Sequence, residues 1–456
     1  MSPLPEQLML MLRWLSAGAM IGFGIVSRNL TTWILLSMLL GMLVGYDLKG
    51  LGQNLEILSK IFIQLIKTVI APLLFGTLVL GIAGQSNAKQ VGRMSVKAFT
   101  YFIAATSIAL VVGLVAINLT RAGDLPQAIK EKAQKPSVAV AMDASALTAQ
   151  VDSVKNTLKF QYHGKDLAAP AGKPKQDWKY IISHIFPENV AKMIYEGAVL
   201  QIVVFSLIFG FALRQVPEPH RERMLEWTES LTEVMFKFTG IIMYFAPVAV
   251  GGAMAYTIGT MGFDVVGNLV KLLLTLYASL ILFILLVFIP VMWFFKIPIK
   301  KFFKTVYEPA SLAFATASSE AALPKTLTAM ENFGVPRKIV SFVLPTGYSF
   351  NLDGSTLYLS LASVFCAQAA GIELSWQTQL YMMGTLLLTS KGVAGVPRAS
   401  LVILAATVDQ FQIPDWPIAI ILGVDALMDM GRTSVNLVGN CLASAVVARW
   451  EGELDA

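Results

Sequence analysis

The sequence is poor in charge. Only 14% of its 456 residues are Asp, Glu, Lys or Arg, against about 25% in soluble domains, while 55% are hydrophobic. A water-soluble chain of this length needs more polar surface than that. The scarcity of charged residues therefore predicts an integral membrane protein. The net charge of +6 is spread over short loops and forms no basic face, which argues against a nucleic-acid partner.

The sequence also has few cysteines and few histidines. Its two cysteines, Cys366 and Cys441, lie inside apolar stretches and cannot build a disulfide framework. Its three histidines, His163, His184 and His220, lie in polar loops or at the end of a span. Neither a zinc-ligand spacing nor a hydrolase nucleophile motif is present. These absences predict a protein that is not an enzyme and needs no metal or organic cofactor.

Nine apolar stretches approach or exceed the length of about 20 residues that a membrane-spanning helix needs. Several are longer than that, which indicates tilted or interrupted helices. Residues 8–26 are apolar too, but they follow the acidic Glu6, so we expect an interfacial helix or a leader over residues 1–30. The nine stretches are residues 31–46, 57–83, 98–119, 198–213, 234–256, 265–295, 341–370, 381–406 and 418–447.

The basic residues predict the orientation, because short cytoplasmic loops keep Lys and Arg. Three connecting segments, residues 257–267, 371–379 and 407–416, contain neither and are assigned to the outside. We expect the protein in the cell inner membrane with both termini in the cytoplasm. The basic residues assigned to cytoplasmic loops are Lys89, Arg93, Lys97, Arg214, Arg221, Arg223, Lys296, Lys300, Lys301, Lys304, Arg337 and Lys338.

One polar segment, residues 121–180, separates the apolar stretches. It holds ten Lys or Arg and six Asp or Glu. Counting crossings places it outside the cytoplasm, where long loops are largely exempt from the charge rule. We expect this insertion to be mobile and to take no part in the chemistry.

Two segments do not have the pattern of simple spans. Residues 311–330 (SLAFATASSEAALPKTLTAM) combine small and hydroxylated residues with one acid and a proline. An interrupted helix at membrane depth is tolerated only inside protein or beside a water-filled cavity. We therefore expect a re-entrant helical hairpin with Ser318 and Ser319 at its tip. A second hairpin is expected at residues 390–400 (SKGVAGVPRAS), where two glycines and a proline interrupt an apolar run.

Each hairpin precedes a long apolar stretch with polar residues near its middle. Pro324 precedes Asp353 by 29 positions, and Pro397 precedes Asp429 by 32 positions. The loop charges predict that the first hairpin enters from the inside and the second from the outside. Such an inverted-topology repeat is typical of secondary transporters whose site lies at the membrane midplane.

The last apolar stretch carries the most informative polar residues. Asp425, Asp429, Arg432, Asn436 and Asn440 lie at offsets 0, 4, 7, 11 and 15 and therefore share one helical face. Ionisable residues deep in a membrane helix are costly and are by default functional. The alternative is that Asp429 and Arg432 only neutralise each other across one turn.

Arg432 and Asp429 together indicate the chemistry of the ligand. A guanidinium suits a carboxylate, and a buried Asp suits an ammonium group. The pair therefore predicts an acidic amino acid as the substrate. The hairpin tips would add backbone N–H groups and the hydroxyls of Ser318 and Ser319 for a carboxylate, although a serine pair can equally serve close packing.

The chain resembles the dicarboxylate/amino acid:cation symporters, a family that includes glutamate transporters. The resemblance covers almost the whole chain from Thr31 onward and is strongest in four motifs, which follow the family's order and spacing. The motifs are TASSEAALP at 316–324, PTGYSFNLDGS at 345–355, SKGVAGVP at 390–397 and DALMDMGRTSVNLVGN at 425–440.

This resemblance implies an all-α integral membrane fold of eight transmembrane helices and two re-entrant hairpins, assembled as a homotrimer in contact with membrane lipid. Residues 31–94 (helices 1 and 2) and 181–260 (helices 4 and 5) would form a scaffold. Residues 95–120 (helix 3) and 261–456 (helix 6, hairpin 1, helix 7, hairpin 2 and helix 8) would form a transport domain. The transport domain would carry the substrate across the membrane as an elevator.

The resemblance also implies roles for single residues. Arg432 would hold the substrate's side-chain carboxylate and Asp429 its ammonium group. Thr433, Asn436 and the backbone of the hairpin tips would hold the main-chain carboxylate, with Ser355 near the side chain. The residues implied to bind substrate are Ser318, Ser319, Ser355, Gly395, Asp429, Arg432, Thr433 and Asn436.

Departures from the family's pattern indicate that the coupling ion is the proton, as in the bacterial branch of the family. Sodium-coupled relatives have an Asp where this chain has Asn440, and vertebrate-type relatives have a Glu where it has Leu359. Glu320 replaces a serine beside the hairpin tip and is our first choice as proton carrier, although it can equally cap a half-helix. Dicarboxylate carriers of the family lack the Asp that matches Asp429. The candidate coupling residues are Glu320, Asn351, Asp353, Asp425 and Asn440.

Three hypotheses follow from the sequence. The first is a proton-coupled symporter for L-glutamate and L-aspartate, as in the bacterial branch of the family. The second is a sodium-coupled symporter for acidic amino acids or C4-dicarboxylates. The third is an anion channel or a membrane-embedded enzyme, which the sequence disfavours because a channel needs no ammonium-selective Asp429 and no catalytic motif is present.

Overall fold

The computed structural model describes residues 6–27, 29–83, 90–134, 186–195, 199–390 and 399–455. Within these ranges all regular secondary structure is helical, and a π-helical turn at Ile284–Phe288 joins α11 to α12. The tip of the second expected hairpin, including Gly395, and most of the insertion at 121–180 lie outside the described residues. The helices are α1 (Glu6–Ser27), α2 (Leu30–Asp47), α3 (Lys49–Asn54), α4 (Glu56–Ala83), α5 (Gln90–Thr120), α6 (Gln127–Gln134), α7 (Val190–Tyr195), α8 (Val199–Leu213), α9 (Glu218–Met243), α10 (Ala246–Met261), α11 (Val265–Phe283), α12 (Ile289–Phe294), α13 (Ile299–Thr316), α14 (Ser319–Phe333), α15 (Arg337–Phe350), α16 (Asp353–Ala369), α17 (Trp376–Thr389), α18 (Ala399–Gln410) and α19 (Trp416–Glu451).

Several of these helices are long and apolar enough to cross a membrane. In the described part of the chain five pass this test, and α9 with α10 would make a sixth if that bent pair is one span. The protein is therefore a multi-pass membrane protein. The five are Gln7–Ser27, Leu30–Asp47, Lys49–Leu80, Val96–Thr120 and Val265–Phe294.

Two of the stretches that were expected to be continuous are interrupted. In residues 234–256, α9 ends at Met243 and α10 begins at Ala246, with a 47° bend between them. Pro247, at the start of α10, accounts for the break, because proline lacks an N–H and disfavours helix in the residue before it. In residues 341–370, α15 ends before Asn351 and α16 begins at Asp353. The polar residues expected near the middle of this helix therefore lie at a helix break.

The first expected hairpin corresponds to α13 and α14. The chain turns at Ala317, which has a left-handed φ of 49°, and the Ser318 hydroxyl caps α14 by accepting the N–H of Ala321 at 3.3 Å. At the opposite end, Lys301 Nζ donates to the carbonyl of Phe333 at 3.2 Å, so the two helices are antiparallel. The turn at the expected tip is confirmed, while entry into the membrane stays a prediction.

α16 and α19 lie at the centre of the protein. All 17 residues of α16 are buried, and 29 of the 36 residues of α19 are buried. The two helices pack on each other, α5 packs on α16, and α13 and α15 pack on α19. A helix buried on all sides belongs to the interior of a bundle, so polar groups on these two helices face protein.

α2 and α10 pack unusually closely through glycine. A Cβ atom at Gly41 would lie 2.2 Å from the carbonyl oxygen of Gly251, and one at Gly45 would lie 2.5 Å from that of Ala255. Small residues let membrane helices approach backbone to backbone. The contact between α2 and α10 therefore depends on the absence of side chains.

The end of α19 is held by charged residues of α5. The Glu451 carboxylate pairs with Arg93 and with Lys97, whose Nζ lies 2.7 Å from Oε1. Lys97 also donates to the Trp450 carbonyl at 2.8 Å. The hydrogen bond from Lys97 and then that from Arg93 outweigh desolvation and lower the pKa of the Glu451 carboxyl.

Candidate functional site

Arg432 is the centre of a buried charged cluster on α19. Its side chain is fully buried, and Nη2 donates to Asp425 Oδ1 at 3.1 Å and to Asp429 Oδ1 at 2.8 Å. The pairing of Asp429 with Arg432 across one turn is therefore present, and Asp425 adds a second carboxylate. With all three groups ionised the cluster carries a net charge of −1, which favours binding of a cationic group.

Tyr358 of α16 covers one face of the guanidinium. The ζ carbon of Arg432 lies 3.8 Å from the centroid of the ring, a cation–π contact. Arg432 Nε and Nη1 are buried and make no hydrogen bond to any residue in the described ranges. An arginine has five N–H donors, so this guanidinium retains donors for a ligand carboxylate while its position is fixed by three side chains.

α16 begins directly beside this cluster. A Cβ at Gly354 would lie 2.7 Å from the Arg432 carbonyl oxygen, so glycine permits the two backbones to cross there. Asn436 accepts the backbone N–H of Ser355 at 3.2 Å and donates from Nδ2 to the Ser355 hydroxyl at 2.9 Å. Ser355, Asn436 and Arg432 are thus brought together, as expected. Thr433, which is 7% exposed, follows Arg432 on the same helix.

A second polar cluster lies where α15 breaks into α16. Asn351 donates from Nδ2 to Asp353 Oδ2 at 3.2 Å, and both residues are fully buried. Asn440 of α19 is 1% exposed, and its amide makes no hydrogen bond within the described part of the chain. A Cβ atom at Gly439 would lie 2.5 Å from Asp353 Oδ2. One at Gly347 would lie 2.3 Å from Asn440 Oδ1. Three of the expected coupling residues, Asn351, Asp353 and Asn440, therefore lie close to these two glycines.

Helix α13 of the first hairpin contacts α19 through its backbone. Ser434 donates its hydroxyl to the Ala310 carbonyl of α13 at 3.1 Å. Among the described residues, no hydrogen bond links the tip residues Ser318 and Ser319 to the Arg432 cluster. Glu320 lies exposed in the first turn of α14. The structure thus brings together the expected substrate-binding residues of α16 and α19. Within the described ranges it shows no hydrogen bond from the hairpin serines to them.

Sequence reasoning missed three residues that position the cluster. Tyr358 stacks on Arg432, Ser434 binds the hairpin, and Tyr277 of α11 donates its hydroxyl to the Leu427 carbonyl at 2.7 Å. Each acts between helices that are far apart in sequence. Only Ser434 carried a signal, because it lies inside the polar motif of α19.

Comparison with known proteins identifies the family. Residues 30–450 match the model of the sodium:dicarboxylate symporter family. The chain is 35% identical to a C4-dicarboxylate transport protein of Bacillus subtilis over 94% of this chain and 95% of that protein. It is 36% identical to the proton/glutamate-aspartate symporter of Escherichia coli over 94% of each chain. It is 38% identical to C4-dicarboxylate transport protein 1 of Mesorhizobium japonicum over 92% of this chain and 83% of that protein.

The family match spans the helices that carry both polar clusters, and the relatives cover this chain almost end to end. These relatives are transport proteins, in agreement with a multi-pass structure whose buried ionisable residues lie on central helices. The chain therefore belongs to the sodium:dicarboxylate symporter family, whose members are transporters and not enzymes.

Proposed function

We propose that the protein takes up glutamate and aspartate by symport with protons. The observation that carries this proposal is the fully buried Arg432 guanidinium beside Asp429. Arg432 offers N–H donors to one carboxylate of the substrate, and the Asp429 carboxylate accepts its ammonium group. Thr433, Asn436 and the hairpin tips would receive the other carboxylate.

The charge of the cluster supports an amino acid over a simple dicarboxylate. Asp425, Asp429 and Arg432 together carry −1 when ionised. Glutamate or aspartate adds one net negative charge, because its ammonium group offsets one of its two carboxylates. A C4-dicarboxylate has no ammonium group and would bring two further negative charges. Burying uncompensated charge is costly, so a dicarboxylate would need one more proton or cation in the site than glutamate or aspartate does.

The second candidate is a C4-dicarboxylate symporter. Two of the relatives described above bear that name, at 35% and 38% identity. In addition, Asp429 accepts a hydrogen bond from Arg432. A purely structural ion pair would have the same contact. This candidate predicts that Asp429 contributes nothing to the recognition of an ammonium group.

Uptake by reconstituted protein distinguishes the candidates. Proteoliposomes without sodium would receive an inward proton gradient and labelled aspartate, glutamate or succinate. We expect aspartate and glutamate to accumulate, with succinate a weak competitor. Accumulation of succinate in preference to both amino acids would establish the second candidate instead. A parallel series with a sodium gradient and equal pH on both sides tests the coupling ion.

Charge balance supports more than one coupling ion. Glutamate or aspartate carries −1 at neutral pH, and moving one charge against 100 mV costs about 2.3 kcal/mol. One cation only cancels the substrate's charge, so at least two are needed for the membrane potential to drive uptake. Asn440 supplies no carboxylate for a metal cation, and one relative is named a proton symporter. We assign proton carriage to Glu320 first, with Asp353 and Asp425 as alternatives.

The proposed architecture is that of the family resemblance. It comprises eight spans and two re-entrant hairpins in the bacterial inner membrane, with the carboxyl terminus in the cytoplasm and three copies joined through their scaffolds. The scaffold comprises the helices within residues 31–94 and 181–260. Residues 95–120 and 261–456 would move as the transport domain.

A contact between α2 and the hairpin tip offers a test of the elevator movement. Thr31 donates its hydroxyl to the Thr316 carbonyl at 3.5 Å, so a scaffold helix touches the transport domain there. We expect a short, reducible bifunctional thiol reagent to bridge Thr31→Cys and Thr316→Cys and to stop uptake, with recovery after reduction. Single-cysteine variants are the controls. Uptake at the wild-type rate by the fully bridged protein would contradict relative movement of these two elements.

A further inference from the structure

The turn between α12 and α13 has a fixed shape. Phe295 donates its N–H to the Val291 carbonyl at 3.0 Å, and Ile297 donates to the Met292 carbonyl at 2.8 Å. Lys296 between them has a φ of 52°, and Ile297 is 3% exposed. The buried isoleucine anchors the turn, so that its basic residue is held on the surface.

This turn exposes aromatic and basic side chains next to each other. Trp293 is 77% exposed and Phe294 is 74% exposed. Lys296, Lys300 and Lys304 are exposed as well, and none of the three forms an ion pair with a residue in the described ranges. The region therefore combines an uncovered apolar surface with three positive charges that have no acidic partner.

Two neighbouring charged side chains are directed to other partners. Glu308, one turn after Lys304, pairs with Lys325 instead. Lys301 folds over the Phe333 ring, with Nζ 5.2 Å from the centroid. The positive charge of the turn is thus available to an outside group.

Between the aromatic and basic side chains lies a cleft of 740 Å³. Its lining combines apolar side chains with two lysines, which matches an amphiphile with a negative head. Val265–Phe294 is long and apolar enough to span the membrane, so the bilayer surface lies near Trp293 and Phe294, where tryptophan is favoured. The lining residues are Met292, Trp293, Phe294, Lys296, Ile297, Pro298, Ile299 and Lys300.

We propose that this cleft binds one anionic phospholipid. Its phosphate would contact Lys296 and Lys300, and the upper part of an acyl chain would lie on Trp293 and Phe294. A lysine cluster directly beyond a transmembrane helix attracts anionic headgroups, and the apolar wall distinguishes a lipid from a free phosphate ion. The site rests on membrane insertion alone and is independent of which substrate the protein carries.

The test compares phosphatidylglycerol with phosphatidylcholine of the same acyl chains. Native mass spectrometry of the full chain would count retained lipid in wild type and in Lys296→Gln/Lys300→Gln/Lys304→Gln. A matched variant, Lys49→Gln/Lys67→Gln/Lys271→Gln, removes the same charge from exposed positions elsewhere. We expect wild type and the matched variant to prefer phosphatidylglycerol by at least tenfold, and the first variant to lose that preference.

Two further arms identify the source of the bound phosphate. Lys296→Arg/Lys300→Arg/Lys304→Arg keeps the charge and should keep the preference, which separates charge from misfolding. Inorganic phosphate in millimolar excess should not displace the lipid. Equal loss in both glutamine variants, an unchanged preference in the first, or displacement by phosphate would each overturn the proposal.

A different observation concerns α1, which lies antiparallel to α2. Arg13 Nη2 is 2.9 Å from Asp47 Oδ1 at the end of α2, and the Arg13 guanidinium lies over the Tyr46 ring at 5.2 Å. Near the other end of α1, a Cβ at Gly24 would lie 3.1 Å from the Trp33 ring. The two helices therefore run side by side in opposite directions along the length of α2.

The free surface of α1 is apolar. At 22 residues, the helix is about 33 Å long at 1.5 Å per residue, enough for a hydrocarbon core of about 30 Å. Its Arg13 is paired with Asp47, whose side chain is 4% exposed. The exposed large apolar side chains are Leu8, Met9, Leu10, Met11, Leu12, Trp14, Leu15, Ile21, Phe23, Ile25 and Val26.

We infer that α1 is an additional membrane-spanning helix. Because α2 is expected to begin on the cytoplasmic side, its antiparallel neighbour begins on the outside. This inference replaces the interfacial helix or leader expected for residues 1–30, and it moves the amino-terminal end of α1 out of the cytoplasm.

Cysteine accessibility tests this topology. Gln7→Cys and Glu453→Cys would each be treated with a membrane-impermeant maleimide in intact and in permeabilised cells. Cys366 and Cys441 are buried, so background labelling should be low. We expect Gln7→Cys to react in intact cells and Glu453→Cys only after permeabilisation. Labelling of Gln7→Cys only after permeabilisation, or none because the segment is removed, would refute a spanning α1.

Discussion

The guanidinium of Arg432 is stacked on the ring of Tyr358, with 3.8 Å between the ζ carbon and the ring centroid. Both side chains are fully buried, so neither water nor salt screens the contact. The ring holds one face of the guanidinium while Asp425 and Asp429 hold Nη2. Arg432 is thus held in place without a ligand, which would lower the entropic cost of the proposed binding.

The ring of Tyr358 is expected to contribute to substrate affinity through Arg432. A desolvated cation–π contact is worth about 2 kcal/mol, so Tyr358→Leu should weaken aspartate binding by roughly 30-fold. Tyr358→Phe keeps the ring and should bind within about threefold of wild type. Equilibrium binding of labelled aspartate measures both. An equal loss in the two variants would assign the effect to the hydroxyl group instead.

Asp429→Asn tests the proposed recognition of the ammonium group. A charge-assisted hydrogen bond contributes about 1.5–3 kcal/mol, so aspartate affinity should fall by roughly 10- to 150-fold. Succinate should change only by the smaller effect of loosening Arg432. Asp425→Asn removes the other partner of Arg432 and is the control, with similar effects expected on both ligands. Aspartate affinity within twofold of wild type, in correctly inserted protein, would rule out this role for Asp429.

Glu320→Gln tests the proposed proton carrier. Gln keeps the size of the side chain but cannot load and release a proton. We expect uptake driven by a pH gradient to be abolished, while exchange of labelled for unlabelled substrate between equilibrated compartments continues. Glu331→Gln, on the far part of the same helix, is the matched control and should transport normally. Retained pH-driven uptake in Glu320→Gln would move the assignment to Asp353 or Asp425.

The tie between Glu451 and α5 should make stability depend on pH in the acidic range. The pKa of Glu451 is lowered in the folded protein, so its stabilising contribution is complete above the unfolded pKa of about 4.3. It is lost as pH falls through the lower folded value. Between pH 6 and the acid limit, the thermal midpoint of wild type in detergent should fall more than that of Glu451→Gln. Parallel curves for the two proteins would exclude this contribution.

Gly41→Ala should destabilise the contact between α2 and α10. Its Cβ would meet the Gly251 carbonyl oxygen at 2.2 Å, and backbone cannot move aside as a flexible side chain can. Overpacking of this kind costs about 1–3 kcal/mol. Gly384→Ala, where a Cβ meets nothing within 4 Å, is the control and should unfold at the wild-type temperature. Equal midpoints for the two variants would mean that the helices separate at little cost.

The sequence predicted features that depend on local periodicity. The predicted polar face of α19 is present in the structure. It could be predicted because helical geometry alone brings Asp425, Asp429 and Arg432 to one side. The predicted turn at Ser318 is present in the structure. It could be predicted because small and hydroxylated residues favour a helix cap over a continuous apolar helix. Four of the five apolar helices long enough to cross a membrane were predicted as spans, because hydropathy over about 20 residues is a property of the segment itself. The fifth, Gln7–Ser27, was expected to be an interfacial helix or a leader.

Features that depend on tertiary contacts could not be read in the same way. The break before Asp353 has no proline at that point, and it is supported by side chains of α19 that are distant in sequence. The stacking of Tyr358 on Arg432 requires knowledge that Gly354 lets α16 cross α19. The pairing of Arg13 with Asp47 was missed because a single arginine in an apolar stretch carries no indication of its partner.

The burial of α16 and α19 also constrains how the protein is made. Neither is among the helices in the described ranges that are long and apolar enough to cross a membrane unaided, and a single Asp at a helix centre costs about 2.5–3.5 kcal/mol on insertion. We therefore expect α16 and α19 to insert into the membrane only after the helices that they pack against have inserted. The residues that would recognise the substrate are consequently the last part of the chain to be assembled.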